Sequence, residues 1–162
     1  MTCRRRWSVG MVGILMIAGA LGSCSGDGDH GDGFHASSGC ILVGEQEPNA
    51  TILTAQFLGD MFIGDCFVVA GSIFDAIDVD SYRVLVQETL TLVVTLEHSP
   101  LVDFDVLIFD ADTEQLILDC GINVVPETCV VHFAVSSHDI AVDVVVTPVI
   151  GAGTYNLTLS AQ

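Results

Sequence analysis

A two-residue alternation is the feature that most limits what this chain can become. Leu90, Leu92, Val94 and Leu96 alternate with Thr91, Val93, Thr95 and Glu97. Ile140, Val142, Val144 and Val146 alternate with Ala141, Asp143, Val145 and Thr147. Tyr155, Leu157 and Leu159 alternate with Asn156, Thr158 and Ser160. Residues two apart share one face of a strand, so these stretches read as half-buried strands and do not fit a 3.6-residue helical stripe. Shorter runs rich in Val, Ile, Thr and aromatics at 67–70, 81–86, 104–109, 115–118 and 130–135 have the same character. Turn residues separate them, as at Ser99-Pro100, Ala111-Asp112-Thr113 and Gly151-Ala152-Gly153. About eight or nine short strands spaced in this way predict an all-β fold, an antiparallel sandwich or a barrel, over residues 41–162.

The N-terminus has a different character. Arg4, Arg5 and Arg6 precede an uncharged apolar run over residues 9–21. That run is too short to span a hydrocarbon core of about 30 Å as a helix, and it fits the apolar region of a signal peptide. Leu21-Gly22-Ser23-Cys24 follows directly and resembles the lipobox of bacterial lipoproteins. The resemblance implies cleavage after residue 23, lipidation of Cys24 and anchoring to a membrane of the cell envelope. Ser25 after the Cys implies the outer membrane in a Gram-negative cell. Residues 24–40 are rich in Gly, Ser, Asp and His and read as a flexible tether. Asp27, Asp29 and Asp32 fit a calcium-binding EF-hand loop poorly, because Gly31 and Ser38 occupy ligand positions. His30 and His35 make only a weak metal site.

Charge excludes one class of partner. The chain has four Lys and Arg against 21 Asp and Glu, for a formal charge of −17. Beyond residue 23 the only Lys or Arg is Arg83. Such a chain lacks the cations that neutralise nucleic-acid phosphates, and it has no catalytic Lys to offer. Its 51% hydrophobic content separates it from disordered acidic chains.

Four cysteines remain after Cys3 and Cys24: Cys40, Cys66, Cys120 and Cys129. An even number in an exported chain predicts disulfides, and three pairings are possible. Cys120 and Cys129 adjoin two strand-like runs with Pro126 in the intervening turn, so a hairpin is expected to join them. Cys40–Cys66 follows by elimination.

The order of short motifs carries a further resemblance. Glu45-Gln46-Glu47-Pro48-Asn49 opens the domain, and Gly71-Ser72-Ile73 and Asp78-Val79-Asp80-Ser81-Tyr82-Arg83-Val84 follow. Then come the 90–96 run, Phe104-Asp105-Val106-Leu107-Ile108-Phe109-Asp110 and Gly151-Ala152-Gly153-Thr154-Tyr155. Over residues 45–161 this resembles the bacterial pre-peptidase C-terminal domain and the similar collagen-binding modules of clostridial collagenases. The resemblance implies a jelly-roll-like sandwich and a calcium site. Its ligands map onto Glu45, Glu47 and Asn49, with Asp75 and Asp78 from the following loop. Ala50 stands where those modules often carry another ligand. No peptidase precedes the domain in this chain, so a protease-accessory role is expected only in trans.

Enzyme signatures are missing: there is no G-x-S-x-G, H-E-x-x-H or Walker A motif. Asp103 with Asp105, and Asp110 with Asp112, are paired carboxylates better explained by strand ends and turns. His132 alternates out of the apolar phase and is expected on the outside. Tyr82 is expected to point into the core at the base of the 75–80 loop, with Arg83 on the opposite face. The aromatics Phe57, Phe62, Phe67, Phe74, Tyr82, Phe104, Phe109, Phe133 and Tyr155 sit mostly in core-like phases, so few are expected to face outward. The expected function is a non-catalytic, lipid-anchored binding or adhesion module for an envelope or extracellular protein or polysaccharide. The alternative is a structural or assembly accessory to a separate enzyme or envelope complex.

Overall fold

The computed structural model describes residues 39–121 and 125–162. The expected signal peptide over 1–23, the expected lipidation site Cys24 and residues 25–38 of the expected tether lie outside the described residues. Among the described residues ten strands are formed: β1 (Ile41–Gly44), β2 (Gln56–Met61), β3 (Cys66–Ile73), β4 (Asp80–Val86), β5 (Leu90–His98), β6 (Asp103–Asp110), β7 (Gln115–Asp119), β8 (Glu127–Phe133), β9 (Ile140–Ile150) and β10 (Gly153–Ala161). They make two five-stranded sheets with orders β1-β3-β10-β5-β8 and β2-β4-β9-β6-β7. The edge pairs β1–β3 and β2–β4 are parallel and the other pairs antiparallel.

The alternation dictates the core. Leu90, Leu92, Val94 and Leu96 of β5 and Leu157 and Leu159 of β10 are buried from one sheet. Val84, Val142, Val144, Val146, Phe104, Val106 and Ile108 meet them from the other. Removing such side chains from water contributes roughly 25 cal/mol per Å² of apolar area, the main favourable contribution to folding here.

Two strands are additional to the expected set. β1 is almost wholly exposed along its length, and β2 carries Gly59 and Asp60, so neither shows the alternation of a half-buried strand. β8 begins earlier than the apolar run suggested, at Glu127. Phe57, Phe62 and Phe74 are exposed rather than in the core, because two lie beside or beyond strand ends and Phe57 is on the outer face of an edge strand.

Both disulfides form, Cys40–Cys66 and Cys120–Cys129. The second does not close a hairpin. Cys120 follows β7 and its amide donates to Val106 of β6, whereas Cys129 pairs with Val94 of β5. The bridge therefore staples one sheet to the other. Disulfides persist in oxidising compartments, consistent with an exported chain.

The topology concentrates connections at one end. β3, β5, β7 and β9 all finish there, and β4, β6, β8 and β10 all start there, each pair passing between sheets. The β1–β2 connection begins at the same end and continues over the outer face of β4. Arg83 fixes it: its guanidinium donates to the Ile52 carbonyl at 2.8 Å and to both oxygens of the buried Asp143 at 2.7 Å.

Candidate functional site

At this loop end a buried polar cluster interrupts the apolar core. Tyr82 of β4 and Tyr155 of β10 project inward from opposite sheets, and their hydroxyls lie 2.6 Å apart. The Tyr155 hydroxyl donates to Asp80 Oδ2 at 2.6 Å. Asp80 shares the inward phase of Tyr82, two residues on, and is fully buried. Glu45, beyond β1, accepts from the Ser72 amide at 2.8 Å and from the Tyr82 hydroxyl at 3.3 Å. Glu47 accepts from the Asn49 amide N–H at 2.9 Å, and the Ser81 amide donates to the Asn49 carbonyl at 3.0 Å. Oxygens from Glu45, Glu47 and Asp80 all lie within 4.8 Å of one another.

Gly71 makes room for this arrangement. It sits opposite Tyr155 in the β3–β10 ladder, and a Cβ there would clash with the Cζ and hydroxyl of the Tyr155 phenol. The position requires glycine because another residue's ring crosses it, not because of its own backbone angles.

Burial pushes the Asp80 carboxyl up to about 8, with hydrogen bonding to Glu45 and the negative charges of Glu45 and Asp78 acting in the same direction. Burial also raises both tyrosines above the ordinary phenol range, and they stay neutral donors. Near neutral pH the cluster therefore retains a proton between carboxylates, or needs a cation in its place. The Asn49 side chain points to the same need. With its nitrogen turned inward it donates to Glu47 at 2.9 Å and Asp80 at 3.1 Å; turned the other way, it adds an oxygen facing two carboxylates. Such an all-oxygen set, with three carboxylates and an amide, matches the donors of a hard cation.

The structure thus brings together Glu45, Glu47 and Asn49 from the expected ligand set, and places Asp80 with them. Asp75 and Asp78 are engaged otherwise. Asp75 Oδ1 accepts from the Ile77 and Asp78 amides at 2.9 and 3.1 Å, and Asp78 Oδ2 from the Phe74 amide at 2.7 Å. These bonds shape the β3–β4 loop. The signal for Asp80 was present in the sequence: it shares a strand face with a tyrosine assigned to the core.

Around the cluster the loop tips are apolar. Phe74 and Ile77 of the β3–β4 loop, Leu101 of β5–β6, Val125 of β7–β8, and Val149 and Ile150 at the end of β9 are 42–87% exposed. Val102, Asp103, Pro100 and Val125 line one depression, and Gly151 packs against Val102, so neighbouring loops are in contact. A groove of about 680 Å³ opens beside them, lined by Glu45, Gly71, Ser72, His98 and Tyr155 among others.

The remaining sequence candidates are structural in their surroundings. Asp110 Oδ1 accepts from the Thr113 and Asp112 amides, which holds its carboxyl below the usual range. Burial and the nearby charges of Asp103 and Asp119 push Asp105 up. His132 is exposed and its Nδ1 lies 2.7 Å from the Thr91 hydroxyl.

No protein-family model matches the sequence, and no characterised protein matches it at the sequence level. Solved structures share the fold. The pre-peptidase C-terminal domain of a collagenase from Bacillus anthracis is similar with a TM-score of 0.51 and 14% identity, over 67% of this chain and 94% of that one. A periplasmic inhibitor of g-type lysozyme from Aeromonas hydrophila is similar with a TM-score of 0.51 and 13% identity, over 67% of this chain and 97% of that one. The expected sandwich of the pre-peptidase C-terminal type is therefore the observed fold.

Proposed function

We propose that this chain is a non-catalytic binding module, exported and lipid-anchored through Cys24, that grips a protein partner with the loop end of its sandwich. One observation carries the reading: several adjoining loops at a single end each present a large apolar side chain to water. Single exposed apolar residues are ordinary, whereas a set collected by topology on one rim marks a contact surface. The tips are aliphatic except for Phe74, which favours a protein partner over a polysaccharide, for which aromatic platforms are the better surface. The fold likeness to a collagenase domain and to a lysozyme inhibitor supports a non-enzymatic role.

Calcium belongs to this reading. Glu45, Glu47, Asp80 and the Asn49 amide would hold the ion, which would replace the retained proton and tie the start of the β1–β2 connection to β4 and β10. Membrane attachment would present the loop end at the envelope, on the outer membrane of a Gram-negative cell.

The test is affinity capture on envelope proteins and on insoluble polysaccharides. The wild-type chain is compared with Ile77→Glu and Leu101→Glu. Retention of a polypeptide by the wild type, lost in both variants, supports the reading; equal retention by all three refutes it. The accessory alternative is favoured by β7, an edge strand that exposes Leu116 and Ile117. In that case retention is lost with Ile117→Lys instead.

A further inference from the structure

A second cluster lies at the same end, towards β8. His98 of β5, Asp103 of β6 and Glu127 of β8 offer ligand atoms that all lie within 4.8 Å of one another. Two of them occupy positions where the strand pattern calls for an apolar residue. His98 continues the inward phase of Leu90, Leu92, Val94 and Leu96, and its ring lies 5.3 Å from that of Phe104. Glu127 continues the inward phase of Cys129, Val131 and Phe133, stands opposite Leu96 and is 1% exposed. Asp103 reaches the group from the other sheet and is half-buried.

The His98 ring supplies an independent observation. Its Nδ1 lies 3.0 Å from the Ser99 carbonyl oxygen, which can only accept, so the proton resides on Nδ1. In the neutral ring Nε2 then carries the lone pair, and that atom is fully buried with no hydrogen-bond partner among the described residues. An imidazole whose N–H is held by a backbone carbonyl while the other nitrogen presents its lone pair is the tautomer of a metal ligand.

We propose that His98, Asp103 and Glu127 form a binding site for a divalent transition ion, with zinc as its occupant. One nitrogen and two carboxylates suit zinc, which accepts mixed N and O donors in a small coordination shell. They suit calcium poorly, because calcium takes six or more oxygens. The site is separate from the Glu45–Glu47–Asp80 cluster. It joins the β5–β6 loop to the start of β8, and so steadies the segments that carry Leu101 and Val125.

The full-length chain, freed of metal by a chelator and saturated with calcium, is titrated with zinc chloride by calorimetry and followed by thermal melting. A His30→Ala/His35→Ala background removes the tether histidines. The expected result is one zinc per chain at micromolar zinc or below, with a raised melting temperature. His98→Gln and Asp103→Asn should each weaken zinc binding by about tenfold or more, while Glu47→Gln leaves it unchanged. Should His98→Gln fail to fold, nitrogen NMR of the wild type decides: zinc must shift His98 Nε2 and leave Nδ1 protonated. Zinc binding undiminished in a folded His98→Gln, no stoichiometric uptake, or an unmoved Nε2 resonance overturns the site.

Discussion

Replacing Asp80 with Asn isolates the charge stored in the tyrosine–carboxylate cluster. In the folded chain the Asp80 carboxyl is pushed from the ordinary 3.8 up to about 8, chiefly by burial and then by hydrogen bonding to Glu45. The folded state therefore holds this proton more tightly than the unfolded chain does. Its contribution to stability is complete below about pH 4, declines as the pH rises, and is lost once the pH passes about 8. One pH unit corresponds to about 1.36 kcal/mol, so the shift sets a ceiling of about 5–6 kcal/mol; sharing of the proton with Glu45 brings the expected loss nearer about 3 kcal/mol. That is a large part of the roughly 5–15 kcal/mol by which domains are stable. Urea unfolding in chelator at a series of pH values measures it. The wild type should lose about 3 kcal/mol between pH 4 and pH 8, and Asp80→Asn, which keeps an acceptor for Tyr155, should show a much flatter profile. Calcium should restore stability to the wild type at pH 8, by about 2.7 kcal/mol at a hundredfold excess over Kd, and do nothing for the variant. Equal slopes for the two proteins in chelator would refute the reasoning.

Three other outcomes follow from named contacts. Gly71→Ala drives a methyl group into the Tyr155 ring, so denaturant unfolding should show a loss of about 1–3 kcal/mol and melting curves should lose their calcium response. Arg83→Met leaves the buried Asp143 without its bidentate partner, and should cost about 2–4 kcal/mol while raising protease cleavage in the β1–β2 connection, where the Ile52 carbonyl also loses its donor. Cys24→Ala should block lipid attachment and processing; mass spectrometry of a trimmed, membrane-bound product from that variant would contradict the lipobox reading.

The sheets were legible in the sequence wherever one face is buried and the other wet, because burial writes itself as alternation. β5 and β10 show this, and Tyr82 was placed inward on the same grounds. β1 and β2 were not legible, since an exposed edge strand has no face to select apolar residues. The Cys120–Cys129 pairing was readable from spacing, but its role was not: two adjacent strands with a turn between them look alike whether they share a sheet or cross between sheets. The cluster was half legible. Glu45, Glu47 and Asn49 stand out as an acidic motif, while the resemblance points to Asp75 and Asp78, whose carboxylates accept from amides of their own loop, and does not reach Asp80. His98 and Glu127 kept strict phase with buried neighbours, yet each sits beside turn residues, and proximity to a turn masked the phase. The collection of apolar loop tips at one end depends on the strand order, which local sequence does not encode.

The most direct test of the account is site-specific photocrosslinking in living cells. A photoreactive residue is placed in turn at Ile77 and Leu101 on the loop end, at Ile117 on edge strand β7, and at Val130 on the outer face of β8. The account expects covalent adducts to one polypeptide from Ile77 and Leu101, diminished by Asp80→Asn, with none from Ile117 or Val130. Adducts from Ile117 or Val130 alone, with the loop end silent, would contradict it.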